Sequence, residues 1–330
     1  MRNVAMLLAA GSLALALELP TSGAKAQSPD RPTAQGQSQK PIPKLAWAPK
    51  PATPAPYTAP NRPIWRLSDL LAKHKGEQDW TETIVNTPHF IGQYISMGPG
   101  EKTKAVFYAD DRVFWVIESG SIRFTVEGQQ PFVASKGFLV QVPFRTPYSM
   151  ETVGDTPSLR FEIRPSGQAP IYPVVETPTP IPGVAYVKAT YTGQGSYDAV
   201  NRPYLDFYKD VAPHGATTRR FVEDDHTGFG LIRGPAVQTP PPTDFGHFHE
   251  SFDEFWFVLE GTLDVLIEGE PLIHAHEGDV AMAPTGRWHR LTNGGTGMST
   301  RLPVIARTGA AEPVSQGNLH FFQPDAAKGD

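Results

Sequence analysis

Two histidines two positions apart, His247 and His249, are followed five residues later by Glu254 in the stretch GHFHESFDEFWFVLEG. A third, His289, comes forty residues after His249. Neutral imidazole nitrogens and a carboxylate oxygen are the donors that one divalent transition metal of borderline softness prefers: Fe, Mn, Ni, Cu or Zn. Four such ligands leave one or two positions open on a five- or six-coordinate ion, where a substrate binds. The same residues also read as a polar strand edge that contains histidine, and their types alone leave both readings open.

Their positions depend on the elements that carry them. On a strand, His247 and His249 point to one face, because side chains alternate with period two. Glu254 is an odd five residues on, so one continuous strand puts it on the other face. A turn over 250–253 that begins a new antiparallel strand brings it back beside the histidines. The runs around this segment support strands: Phe255-Trp-Phe-Val-Leu is aromatic and β-branched, and 262–268 alternates before the turn at Gly269. His289 falls just after the Pro284-Thr-Gly286 turn.

The pattern occurs twice. Shifted by 141 residues, FWVIESGSIRFTVEG (114–128) lies over FWFVLEGTLDVLIEG (255–269) with five of fifteen positions identical, and Gly137 falls on Gly278, Pro143 on Pro284. Short strands with frequent turns and little helix predict an all-β chain of two small barrels. The first is expected over 64–165 and the second over 201–308, joined by a Pro/Gly/Thr-rich connection at 166–200, with a tail at 309–330. The one good helix candidate starts near Ser68, read as its N-cap.

Composition narrows the rest. The chain has 330 residues, 39% of them hydrophobic, a net charge of −5 and no cysteine. Disulfides, thiolate ligands and cysteine nucleophiles are therefore excluded, and no basic surface favours nucleic acid. Residues 1–26 read as a cleavable signal peptide: a basic start, a short apolar run and Ala24-Lys25-Ala26. The expected location is the periplasm or outside the cell, with no membrane span once the leader is removed. Residues 27–63 carry ten prolines and read as a solvated linker.

The residues H-x-H-x4-E-x6-G (His247, His249, Glu254, Gly261) and G-x5-P-x-G-x2-H-x3-N (Gly278, Pro284, Gly286, His289, Asn293) resemble the two motifs of the cupin superfamily. The one departure is Pro241, where the family has a glycine. The resemblance implies a double-stranded β-barrel, jelly-roll-like, with the three histidines and Glu254 binding a metal inside it. Through the repeat, the whole chain is similar to a bicupin. The first copy carries Val106, Tyr108, Val113 and Tyr148 at the four ligand positions, so it is expected to be a degenerate, metal-free barrel.

This resemblance implies a metal-dependent enzyme acting on a small organic substrate, foremost a mononuclear-metal dioxygenase. A lyase, decarboxylase or isomerase, and a non-catalytic ligand-binding cupin, are the alternatives. Glu254 is both ligand and catalytic candidate, and Glu250 in the turn is a second acid/base candidate. Alternation places Trp256 inward, and Met282 too if Val280 points inward; Arg287, Arg290 and Arg301 are candidates to fix a substrate carboxylate. A homodimer is left open.

Overall fold

The computed structural model describes residues 47, 49–237 and 246–307. The expected leader at 1–26, residues 27–46, Pro241 and the expected tail at 309–330 lie outside the described residues. The described residues 49–237 and 246–307 belong to one compact unit.

The chain runs twice through the same order of elements. In the first pass, β1 (Ile64–Trp65) and α1 (Leu67–Lys73) precede β2 (Trp80–Asn86), β3 (Phe90–Met97), β4 (Val113–Ser119) and β5 (Ser121–Val126). Then come β6 (Phe132–Ser135), β7 (Phe138–Val142), β8 (Tyr148–Thr152) and β9 (Ser158–Pro165). The second pass opens with β10 (Tyr204–Asp206) and α2 (Phe207–Asp210), followed by β11 (Thr217–Glu223), β12 (Thr227–Pro235), β13 (Glu254–Glu260) and β14 (Thr262–Ile267). It closes with β15 (Ile273–His276), β16 (Val280–Ala283), β17 (His289–Asn293) and β18 (Met298–Ala306).

Each pass folds a six-stranded sheet over a three-stranded one. The first pair is β10-β7-β4-β9-β3-β2 over β6-β5-β8, and the second is β1-β16-β13-β18-β12-β11 over β15-β14-β17. The architecture is the expected all-β pair of barrels. The edges are exchanged, however. β1 pairs with β16 of the second barrel, and β10 pairs with β7 of the first. The short segment leading into each repeat thus completes the large sheet of the other.

The repeat holds at the level of register. Val113 opposes Val142 and Glu254 opposes Ala283, which are the same pair displaced by 141. An isolated bridge joins Val106 to Tyr148 in the first barrel and His247 to His289 in the second.

The apolar runs at 114–117 and 255–259 are long because both faces of each large sheet are covered. Phe114, Val116 and Phe161 from one barrel, and Phe255, Phe257 and Leu302 from the other, form one core between the two large sheets. Phe161 stacks on Phe257 with centroids 5.7 Å apart, and Phe114 lies 4.6 Å from Phe229. Each buried phenylalanine contributes about 1.5–3 kcal/mol. The alternate residues of the same strands, Trp115 and Ile117 or Trp256 and Val258, fill the interiors of their own barrels.

Two local expectations differ from the structure. α1 is not capped by Ser68: Arg66 holds the N-cap position without a side-chain bond, and Leu67 N donates instead to Asp279 Oδ1 of the second barrel at 3.0 Å. Nor is all of 27–63 solvated. Tyr57 Oη donates to Met282 O at 2.8 Å, and Ala55 O accepts from Arg287 Nη2 at 2.7 Å. Tyr57 and Arg287, together with the Lys50–Glu268 ion pair, tie the described part of this proline-rich strip to the second barrel.

Candidate metal centre

The four sequence candidates converge. His247, His249, Glu254 and His289 each present one donor atom, and these atoms lie within 4.8 Å of one another. Glu254 Oε2 is 2.6 Å from His249 Nε2, 3.2 Å from His289 Nε2 and 3.7 Å from His247 Nε2. The two imidazoles His289 and His247 face each other Nε2 to Nε2 at 3.3 Å.

Local structure explains the convergence. The turn expected over 250–253 is present, and β13 starts at Glu254, so the carboxylate returns beside the histidines. The backbones of His247 and His289 exchange hydrogen bonds, His247 N to His289 O at 3.0 Å and the reverse at 2.8 Å. That approach requires the glycine before His247. A Cβ on Gly246 would stand 2.3 Å from His289 O and 2.4 Å from the Trp288 ring, closer than any real contact.

Neighbouring groups orient the donors. His289 Nδ1–H donates to Arg287 O at 3.0 Å, which leaves Nε2 as the lone-pair nitrogen facing the cluster. Trp256 Nε1–H donates to Glu254 Oε1 at 2.9 Å and turns Oε2 toward the imidazoles. His249 stacks on Phe252 at 4.2 Å. Burial raises the pKa of Glu254, but the His249 imidazole beside it and the close contacts of the other two histidines outweigh it and hold the carboxyl well below the usual carboxylate range. Burial depresses His289, which favours its neutral, metal-binding form.

Acceptor nitrogens and a carboxylate oxygen turned toward one point form a donor set that fits a single divalent cation and nothing bulkier. His249, Glu254 and His289 are buried, whereas the side chain of His247 is 37% exposed and marks the open side.

Other candidates are placed elsewhere. Met282 points into the core between the barrels together with Val280, while Ala281 and Ala283 take the inward face of β16. The condition set for an inward Met282, that Val280 points inward, is not met, and the sequence could not decide it because the outer face of this sheet is as apolar as its inner one. Trp256 lines the interior, yet its indole is engaged with Glu254 rather than displayed to a substrate. Arg287 braces the docked N-terminal strip: it bonds Ala55 O and Glu270 and lies over the Tyr57 ring at 4.6 Å. Glu250 is exposed on the turn, outside the ligand cluster. Asp253 accepts from Thr285 N at 2.7 Å and closes the loop. Among the described residues no helix is long and apolar enough to cross a membrane.

Comparison with known proteins accords with this geometry. Residues 237–305 match the family described as the cupin domain. Among solved structures, the chain is similar to a cupin 2 conserved barrel domain protein from Leptotrichia buccalis, at 13% identity over 74% of this chain and 95% of that one, with a TM-score of 0.51. It is also similar to salicylate 1,2-dioxygenase from Pseudaminobacter salicylatoxidans, at 16% identity over 74% and 83%, with a TM-score of 0.54. An adduct of that enzyme with gentisate gives 14%, 74%, 84% and 0.53. No curated protein sequence matches the chain. Residues 237–305 of the second barrel thus match a cupin domain, and the described residues fold as two β-barrels, with the His/Glu donor cluster in the C-terminal one.

Proposed function

We propose that this protein is an exported, metal-dependent enzyme that oxidises a small aromatic substrate with dioxygen. The observation that carries the reading is the convergence of His247, His249, Glu254 and His289 in one barrel, with His247 at the open side. Salicylate 1,2-dioxygenase, a protein with the same two-barrel fold, supports the reaction class. The leader at 1–26 supports export.

In this reading the three histidines and Glu254 would hold the cation, which would supply Lewis acidity and activation of dioxygen. The protein does the remainder. Trp256 and the Arg287 carbonyl keep Glu254 and His289 in their binding orientations. The apolar interior, with Val258, Leu263 and Val265, excludes water from the reacting groups.

The test is oxygen uptake by full-length protein loaded separately with Fe, Mn, Ni, Cu or Zn, against a panel of hydroxylated aromatic acids. One metal is expected to support uptake, and His249→Ala and Glu254→Ala are expected to abolish it. Turnover that survives both substitutions removes the proposal. Turnover without oxygen uptake transfers the protein to the lyases or isomerases.

A further inference from the structure

Both barrels carry an arginine at the same interior position, Arg160 on β9 and Arg301 on β18, 141 residues apart. Their neighbours Leu159, Phe161 and Leu302 face the core between the barrels, so both guanidiniums point into their own barrel. Taking a guanidinium out of water is costly unless an anion accompanies it.

The first barrel supplies that anion. Glu162, two residues along the same face of β9, places Oε2 3.7 Å from Arg160 Nε and accepts from Trp115 Nε1 at 2.7 Å. In the second barrel the residue corresponding to Glu162 is Pro303. Trp256, the counterpart of Trp115, donates to Glu254 instead, and Glu254 belongs to the metal-binding cluster. Among the described residues the half-buried Arg301 side chain makes one hydrogen bond, Nη1 to Asn293 Oδ1 at 3.2 Å, and no ion pair. Burial lowers its pKa below the usual arginine range, and the nearby charge of Glu254 works against that. Once Glu254 is committed to a divalent cation, the interior holds two positive centres and one carboxylate.

We propose that Arg301 is the anchor for a carboxylate group of the substrate, so that the second barrel accepts carboxylate-bearing molecules in preference to neutral ones of the same shape. This rests on the metal-dependent reading above and names the chemical class of its substrate. The guanidinium presents planar paired donors that match a carboxylate, and the missing counterion is supplied by the ligand itself. The in-strand partner Glu162 keeps the first barrel from doing the same.

The experiment uses full-length protein loaded with Co(II), whose visible absorption reports the metal surroundings, titrated with benzoate against benzamide and acetate against acetamide. At least one carboxylate is expected to bind about tenfold or more tightly than its amide. In Arg301→Gln that preference is expected to vanish at unchanged cobalt content. Equal binding of acid and amide by the parent protein overturns the proposal, as does a preference that persists in Arg301→Gln, which would put the carboxylate on the cation alone. A second measurement needs no metal. In the metal-free Glu254→Gln protein, whose interior has lost its carboxylate, a further Arg301→Met is expected to raise the melting temperature by about 2 °C or more, because it removes a half-buried charge without a counterion, whereas Arg160→Met lowers it. A fall in both variants overturns the proposal. Failure to bind cobalt counts against the metal reading, and the melting comparison still decides the role of Arg301.

Discussion

The two barrels differ in their interiors while sharing a frame. At the four ligand positions the first barrel has Val106, Tyr108, Val113 and Tyr148 in place of His247, His249, Glu254 and His289. Tyr148 nevertheless packs edge-on against Trp115 at a centroid distance of 5.0 Å, as His289 packs against Trp256 at 5.0 Å. The match extends to a strained residue. Gly286 has φ +77°, and its counterpart Arg145 adopts φ +56°, the one non-glycine in that region among the described residues. The two amides make the same bond, Gly286 N to His249 O and Arg145 N to Tyr108 O, each 2.7 Å. Arg145 offsets its unfavourable backbone with side-chain bonds to Ala109 O and Thr192 O, both 2.8 Å. This frame therefore tolerates either a cluster of metal-type donors or packed rings, and four side chains make the difference.

The largest expected contrast is in metal content. His249→Ala or Glu254→Ala should leave purified protein without bound metal by elemental analysis, while Tyr108→Phe and Tyr148→Phe leave it unchanged; metal lost in the tyrosine variants would break the assignment of roles. Next come the two indoles. Trp256→Phe is expected to weaken metal binding by about 10–100-fold, since Glu254 loses its orienting donor. Trp115→Phe should leave metal affinity alone and cost about 1–3 kcal/mol of stability in denaturant titration.

A smaller effect sits where the barrels meet. Lys136 and its repeat counterpart Glu277 pair with each other at 2.7 Å, and Glu118 lies 3.8 Å from the same ammonium, at the position of Leu259 in the second copy. Burial, with Glu277 adding to it and Lys136 opposing it, pushes the Glu118 carboxyl up to about 7. The neutral form is thus favoured by folding. That contribution is fully present below about 4.5 and is lost as pH rises through about 7. Glu118→Gln should match the parent at pH 4 and exceed it by about 1–3 kcal/mol at pH 8. An equal gain at both pH values would place the effect elsewhere.

The ligand set was legible because each residue carries distinctive chemistry and the separating turn is short, and the repeat was legible because it runs without a gap. Met282 was not. A sheet buried on both faces has no polar side to reveal which residues point inward, so alternation fixes parity but not direction. β1 and β10, with two and three residues, lie below the length at which a periodic pattern can be seen. The role of Arg301 was obscured because its significance is the absence of a partner, which only the three-dimensional neighbourhood discloses. Comparison with Arg160 and Glu162 carries a trace of it.

The crossing of β1 and β10 has a consequence for dissection of the chain. A fragment beginning at residue 201 lacks Ile64 and Trp65, leaving Val280 and Ala281 as a bare margin of hydrogen-bonding groups. It also uncovers Phe255, Phe257 and Leu302. Such a half would recruit strangers along that margin and precipitate, so the two barrels must be inherited, expressed and purified as one piece.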